Sequence, residues 1–142
     1  MSRVVLDASV LVKWILQDED SEADSAQALS LCESFRGGRI SLVQPVHWLA
    51  EVAAVCVRLR PDIAAQTTAF LYAMEIPVRD TLEVYRHACA LAEELNHHVF
   101  DTLYHAVALD LPDVTLVTAD RRYYLKARKK GTIALLADFA LP

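Results

Sequence analysis

Arg3-Val4-Val5-Leu6-Asp7-Ala8-Ser9-Val10-Leu11-Val12 is the stretch on which the fold turns. Val4, Val5 and Leu6 are apolar at consecutive rather than alternate positions, which predicts a short strand buried on both faces. Asp7-Ala8-Ser9 then leads into an apolar run over residues 10–16, read as a short helix. A strand buried on both faces belongs in a sheet with helices on each side.

The rest of the chain extends this reading. Asp18-Glu19-Asp20-Ser21-Glu22 is an acidic helix start, favoured by the positive end of the helix dipole, and that helix stops at Gly37-Gly38. A strand is expected over 40–43, a helix from Pro45 to about residue 60, and a further helix over 62–74 after the break at Pro61. Residues 76–78 read as a short strand weakened by Pro77. Asp80-Thr81 caps a helix to about Asn96. Phe100, Leu103, Tyr104, Val107 and Ala108 carry the spacing of the next. Residues 114–118 form a clear strand, Ala119-Asp120 starts a basic helix ended by Gly131, and residues 133–136 make a last strand. Strands separated by helices imply a parallel sheet.

The 142 residues suit a single domain spanning 1–142, and 54% hydrophobic against 23% charged residues excludes a disordered chain. Net charge is −5, so the surface as a whole is no basic nucleic-acid platform. Residues 1–120 carry 8 basic and 18 acidic side chains, whereas residues 121–142 carry 6 and 1, an asymmetry that points to a polyanion contact or a basic edge. Cys32, Cys56 and Cys89, odd in number and widely spaced, predict reduced, mostly buried thiols in a cytoplasmic protein. The nearly uncharged stretch 40–57 holds Gln44, Pro45, His47 and Glu51 and does not read as a membrane span.

In such sheets the binding crevice lies beyond the carboxyl ends of the strands, so acids placed there matter most. Asp7 follows the first strand and Asp120 lies two residues past the strand at 114–118. Asp101 falls in the first turn of the helix expected over 100–109, and Glu51 stands near the middle of an apolar helix. Each has a plain structural reading: Asp7 or Ser9, and Asp120, as helix caps, and Asp101 as a first-turn acid. Glu51 could face water or pair with Arg58 or Arg60. Together they suit a hard divalent cation, which takes oxygen ligands. Like charges about 4 Å apart repel by roughly 4 kcal/mol at an effective dielectric near 20, so a converging cluster calls for a cation.

The neighbours of these acids occur in order as Asp7-Ala8-Ser9-Val10-Leu11-Val12, Leu49-Ala50-Glu51-Val52, Phe100-Asp101-Thr102-Leu103-Tyr104-His105-Ala106-Val107-Ala108 and Val117-Thr118-Ala119-Asp120-Arg121-Arg122-Tyr123, with separations of 44, 50 and 19 between the acids. Together they resemble the PIN-domain family and, within it, the ribonuclease toxins of VapBC toxin–antitoxin pairs. The resemblance implies a three-layer α/β/α sandwich with a parallel sheet of four or five strands. It also implies an endoribonuclease dependent on Mg²⁺ or Mn²⁺. Asp7, Glu51, Asp101 and Asp120 match the catalytic, metal-holding quartet, and Ser9 and Thr118 match hydroxyls that support it. An asparagine often found shortly after the second acid is replaced here by Val52-Ala53-Ala54-Val55. A homodimer and a small DNA-binding antitoxin partner enter by the same resemblance.

Arg121 and Arg122 stand where they could contact RNA phosphate, while Lys129 and Lys130 read as a solvated face. His97-His98 reads as a surface pair at a helix end, His47 and His105 as satisfied core or interface residues, and Trp14, Trp48, Tyr123 and Tyr124 as packing residues. Two other enzyme classes fit poorly. A covalent aspartyl phosphatase of the haloacid-dehalogenase pattern needs a second aspartate where Ser9 stands, and a receiver domain needs paired acids and a late lysine. A catalytically silent PIN-like module that binds RNA or protein is the non-enzyme alternative, against which the intact quartet argues.

Overall fold

The computed structural model describes residues 2–16 and 22–141. Within them β1 (Ser2–Leu6), β2 (Ile40–Leu42), β3 (Val114–Thr118) and β4 (Ile133–Leu135) pair in parallel in the order β2-β1-β3-β4. Around this sheet lie α1 (Ala8–Leu16), α2 (Glu22–Arg36), α3 (Trp48–Leu59), α4 (Ala64–Ala73), α5 (Leu82–Leu95), α6 (Val99–Asp110) and α7 (Arg121–Ala127). The architecture is α/β, consistent with the expected three-layer sandwich.

Val4, Val5 and Leu6 of β1 and Val114, Leu116 and Val117 of β3 are buried, as consecutive apolar residues in a doubly covered strand should be. Chain order reverses between β1 and β3, the place where such sheets open a crevice. Leu6 pairs with Val117, and the Asp7 amide donates to the Val117 carbonyl at 3.0 Å. One register therefore sets Asp7 beside the exit of β3.

Several expected boundaries shift. The acidic start over 18–21 lies outside the described residues. Pro45 does not open α3: its carbonyl accepts from the Trp48 amide at 3.2 Å, and the helix begins at Trp48. Glu51 is consequently in the first turn of α3, not near its middle. The strand expected over 76–78 reduces to a single parallel bridge between Gln44 and Val78, because Pro77 has no amide to extend it. The basic helix ends at Ala127 and tightens into a 3-10 turn, Arg128–Lys130, before Gly131 at φ +82°.

Thr81 caps α5 by accepting from the Val84 amide at 3.2 Å, and Asn96 ends it in the left-handed conformation at φ 50°. Thr102 hydroxyl donates to the Ala88 carbonyl at 2.8 Å and ties α6 to α5. Helix α6 is buried from Thr102 to Ala108, so the periodic stripe underestimated its packing, while Phe100 points outward at 63% exposure. The cysteines are unpaired as expected, but Cys56 alone is buried; Cys32 is half-buried and Cys89 exposed. Among the described residues no helix is long and apolar enough to cross a membrane.

Candidate metal centre

Asp7 leaves β1 at the crevice. Its Oδ2 accepts from the Ser9 hydroxyl at 2.5 Å, the Ser9 amide at 3.2 Å and the Thr118 hydroxyl at 3.4 Å. Ser9 Oγ in turn accepts from the Ala119 amide at 3.1 Å, and Thr118 Oγ1 accepts from the Asp120 amide at 3.0 Å. The two hydroxyls thus lace the end of β1 to the end of β3. Asp120 caps α7 through Oδ1, which accepts from the Tyr123 amide at 3.1 Å. Capping and membership of the acid cluster coexist in Asp120; the two readings were not rivals.

Glu51 Oε1 accepts from the Tyr104 hydroxyl at 2.7 Å and lies 3.3 Å from His47 Nε2. Neither Arg58 nor Arg60 serves it, for Arg60 pairs with Asp62 at 2.9 Å. His47 Nε2 also donates to the Phe100 carbonyl at 2.6 Å, while its buried Nδ1 has no hydrogen-bond partner. His47 is therefore only half satisfied. Burial alone would depress its pKa, but the Glu51 hydrogen bond, the Phe100 carbonyl and the charges of Glu51 and Asp101 together raise it.

Asp101 sits in the first turn of α6, where its Oδ2 meets His97 Nε2 at 2.9 Å. The structure overturns the surface reading of His97, whose side chain is only 9% exposed. The left-handed turn at Asn96 redirects the chain between α5 and α6, with the His97 amide bonded to the Ala92 carbonyl at 3.0 Å. Donor atoms of His97, Asp101 and Asp120 all lie within 4.8 Å of one another.

The acids feel each other. Burial, opposed by the Ser9 hydrogen bonds and reinforced by the charges of Asp101 and Glu51, pushes the Asp7 pKa up to about 6. Asp101 is also raised, first by burial, against the pull of His97, with Glu51 and Asp120 adding to it. Burial and these same charges raise Tyr104 and Tyr123 well above the ordinary phenol range, so Tyr104 remains a hydroxyl donor to Glu51. The structure thus brings Asp7, Glu51, Asp101 and Asp120 into one electrostatic neighbourhood. Carboxylates crowded so that Asp7 and Asp101 are held back from ionising suit a hard divalent cation, which takes oxygen ligands and would relieve that repulsion.

Arg121 and Arg122 are both exposed, and Arg122 lines a polar recess of about 190 Å³ with Asn96, His97, His98 and Lys126. Lys130 is less free than expected, since it pairs with Glu94 at 2.5 Å. His105 is the core residue that was expected, bonded to the Tyr123 hydroxyl at 2.9 Å and the Gly131 carbonyl at 2.8 Å. Sequence reasoning missed four supports. Besides His47, His97 and Tyr104, the buried Gln44 accepts from the Leu6 amide and donates to the Leu6 carbonyl, both at 2.8 Å. It fixes the backbone just before Asp7. The one sequence signal for these supports was a polar side chain in an otherwise apolar stretch, which Gln44 and Glu51 share.

No curated protein matches the chain. The family model of the PIN domain matches residues 4–129, from within β1 through α7 and including all four acids. With sheet, crevice and acids in place over that span, the chain belongs to the PIN-domain family.

Proposed function

We propose that this chain is an endoribonuclease that hydrolyses RNA phosphodiester bonds with Mg²⁺ or Mn²⁺, and that it acts as the toxin of a toxin–antitoxin pair. PIN domains are generally nucleases, and PIN nucleases generally use divalent metals. The observation that carries the reading is the shared electrostatics of Asp7, Glu51, Asp101 and Asp120 at the β1–β3 crevice.

These four residues would hold the ion. When bound, a divalent cation lowers the pKa of water and offsets charge growing on phosphoryl oxygens. Ser9 and Thr118 orient Asp7, and Tyr104 orients Glu51 while keeping its own proton. The Tyr123 amide holds Asp120. Arg121 and Arg122 stand ready for flanking phosphates, which accept bidentate, charge-assisted hydrogen bonds from a guanidinium. No side-chain nucleophile is needed.

The toxin role rests on the order and neighbours of the acids. It brings with it a cytoplasmic setting, a homodimer and a small DNA-binding antitoxin. An apolar recess of about 520 Å³ lined by Trp14, Phe35, Phe70 and Met74 offers such a partner a surface to cover.

The test is cleavage of a single-stranded RNA by the purified chain with Mg²⁺ or Mn²⁺, with EDTA, and with Asp101→Asn. Cleavage that needs the metal and is lost in the variant is expected. A wild-type chain that binds RNA without cutting it would instead establish the silent binding module. Growth arrest on expression of wild type but not of Asp101→Asn would support the toxin role.

A further inference from the structure

His97, Asp101 and Asp120 place donor atoms close enough to share one ion, which invites a nitrogen ligand. The wiring of the imidazole argues otherwise. His97 Nε2 lies 2.9 Å from Asp101 Oδ2, and Nδ1 lies 3.2 Å from Lys126 Nζ. Lys126 Nζ donates in addition to the Asn96 carbonyl at 3.1 Å, so the ammonium is anchored at two points. An ammonium has protons to give and no lone pair. Nδ1 must therefore accept, which leaves the ring proton on Nε2 and directs it at Asp101. An Nε2–H has no lone pair for a metal. Metal-bound histidines commonly donate their other N–H to a carboxylate or carbonyl; here that N–H would meet a cation. The ring cannot easily turn, since it is 9% exposed and packed edge-on against Tyr123 with centroids 4.8 Å apart.

We propose that His97 is a positioning residue and not a metal ligand: Lys126 sets its tautomer, and its Nε2–H holds the Asp101 carboxylate for the ion. The inference rests on the metal-site reading above. It assigns the site an all-oxygen donor set, which does not favour transition ions over Mg²⁺ as imidazole ligation would.

The metal-free full chain, labelled with ¹⁵N at histidine, should show His97 in the Nε2–H tautomer by NMR, and Lys126→Met should redistribute it. Pulsed EPR of the Mn²⁺-loaded protein should show no directly coordinated nitrogen. His97→Gln keeps an N–H at the end of the side chain and should bind Mn²⁺ within a few-fold of wild type. His97→Leu should weaken Mn²⁺ binding by about 10–100-fold, with the metal-free melt confirming that it folds. Coordinated ¹⁴N on Mn²⁺, an Nδ1–H tautomer, or equal Mn²⁺ affinity for the Gln and Leu variants would overturn the proposal. If wild type binds no Mn²⁺, the metal-site reading fails, and the tautomer still decides whether Lys126 directs His97 at Asp101.

Discussion

Two walls of the crevice are built by different means. The strand wall, Asp7 and Asp120, is held by Ser9, Thr118 and backbone amides that a single β1–β3 register brings together. The helix wall, Glu51 and Asp101, is held by Tyr104, His47 and His97, side chains whose meeting depends on how α3, α5, α6 and α7 pack. Sheet pairing fixes its residues through many cooperative backbone bonds. The helix wall depends on single side-chain bonds, and a change of one donor can retune it. Removing a strand-wall residue should therefore disturb fold and site together, whereas helix-wall changes should act mainly on the site.

Asp7→Asn should have the largest effect. Metal-dependent cleavage should fall by about 10²-fold or more, on the scale of the stronger losses at metal sites. The same variant reports on crowding. Asp7 is raised from 3.8 to about 6 in the folded chain, so the fold binds its proton more tightly than the unfolded chain does. Its contribution to metal-free stability is complete below about pH 4 and is lost as pH rises through about 6, a loss approaching 3 kcal/mol. Melting points of the metal-free protein should thus fall between about pH 4 and pH 7 by more in wild type than in Asp7→Asn. Parallel falls would place Asp7 outside any crowded wall. Added Mn²⁺ should restore the wild-type melting point by binding only the folded state.

Ser9→Ala and Tyr104→Phe set the walls against each other. Ser9 serves both Asp7 and the Ala119 amide, so its loss should cost about 1–3 kcal/mol of stability and also weaken Mn²⁺ binding. Tyr104→Phe should cost only about 1 kcal/mol, because Glu51 is 29% exposed and water can replace the phenol, while Mn²⁺ affinity drops about tenfold. Thermal melts with Mn²⁺ titrations check both. A larger stability loss for Tyr104→Phe than for Ser9→Ala would reverse the comparison.

The smallest effect is expected at the basic rim. Replacing Arg121 and Arg122 with alanine should leave the metal-free melt unchanged and reduce the salt slope of RNA binding by up to about 1.4, for two phosphate contacts on a single strand. An unchanged slope would return both arginines to the solvated surface.

The two walls also differ in how far they could be read from the chain. Asp7 and Asp120 stand directly after apolar runs, and covalent adjacency to a strand end is visible in any sequence. Glu51 announces itself by its apolar neighbours, but its partner Tyr104 lies 53 residues away and shows in the sequence only as part of a helical stripe. His97 looked like one of two surface histidines because nothing local shows the left-handed turn at Asn96 or the approach of Lys126 from 29 residues on. Phe100 matched the helical period and still faces out, because α6 is enclosed on most of its circumference beyond its first turn.

The alternation of buried strands and helices, the parallel sheet and the order of the four acids are legible in the amino-acid chain alone. Apolar runs and caps are local, and their consequences follow from short-range geometry. Which side chains grip each carboxylate, and which nitrogen of His97 carries the proton, emerges from the packing of the helices. Those outcomes depend on the direction of single hydrogen bonds between residues far apart in the chain. No local period encodes that direction; it is set by how the helices meet.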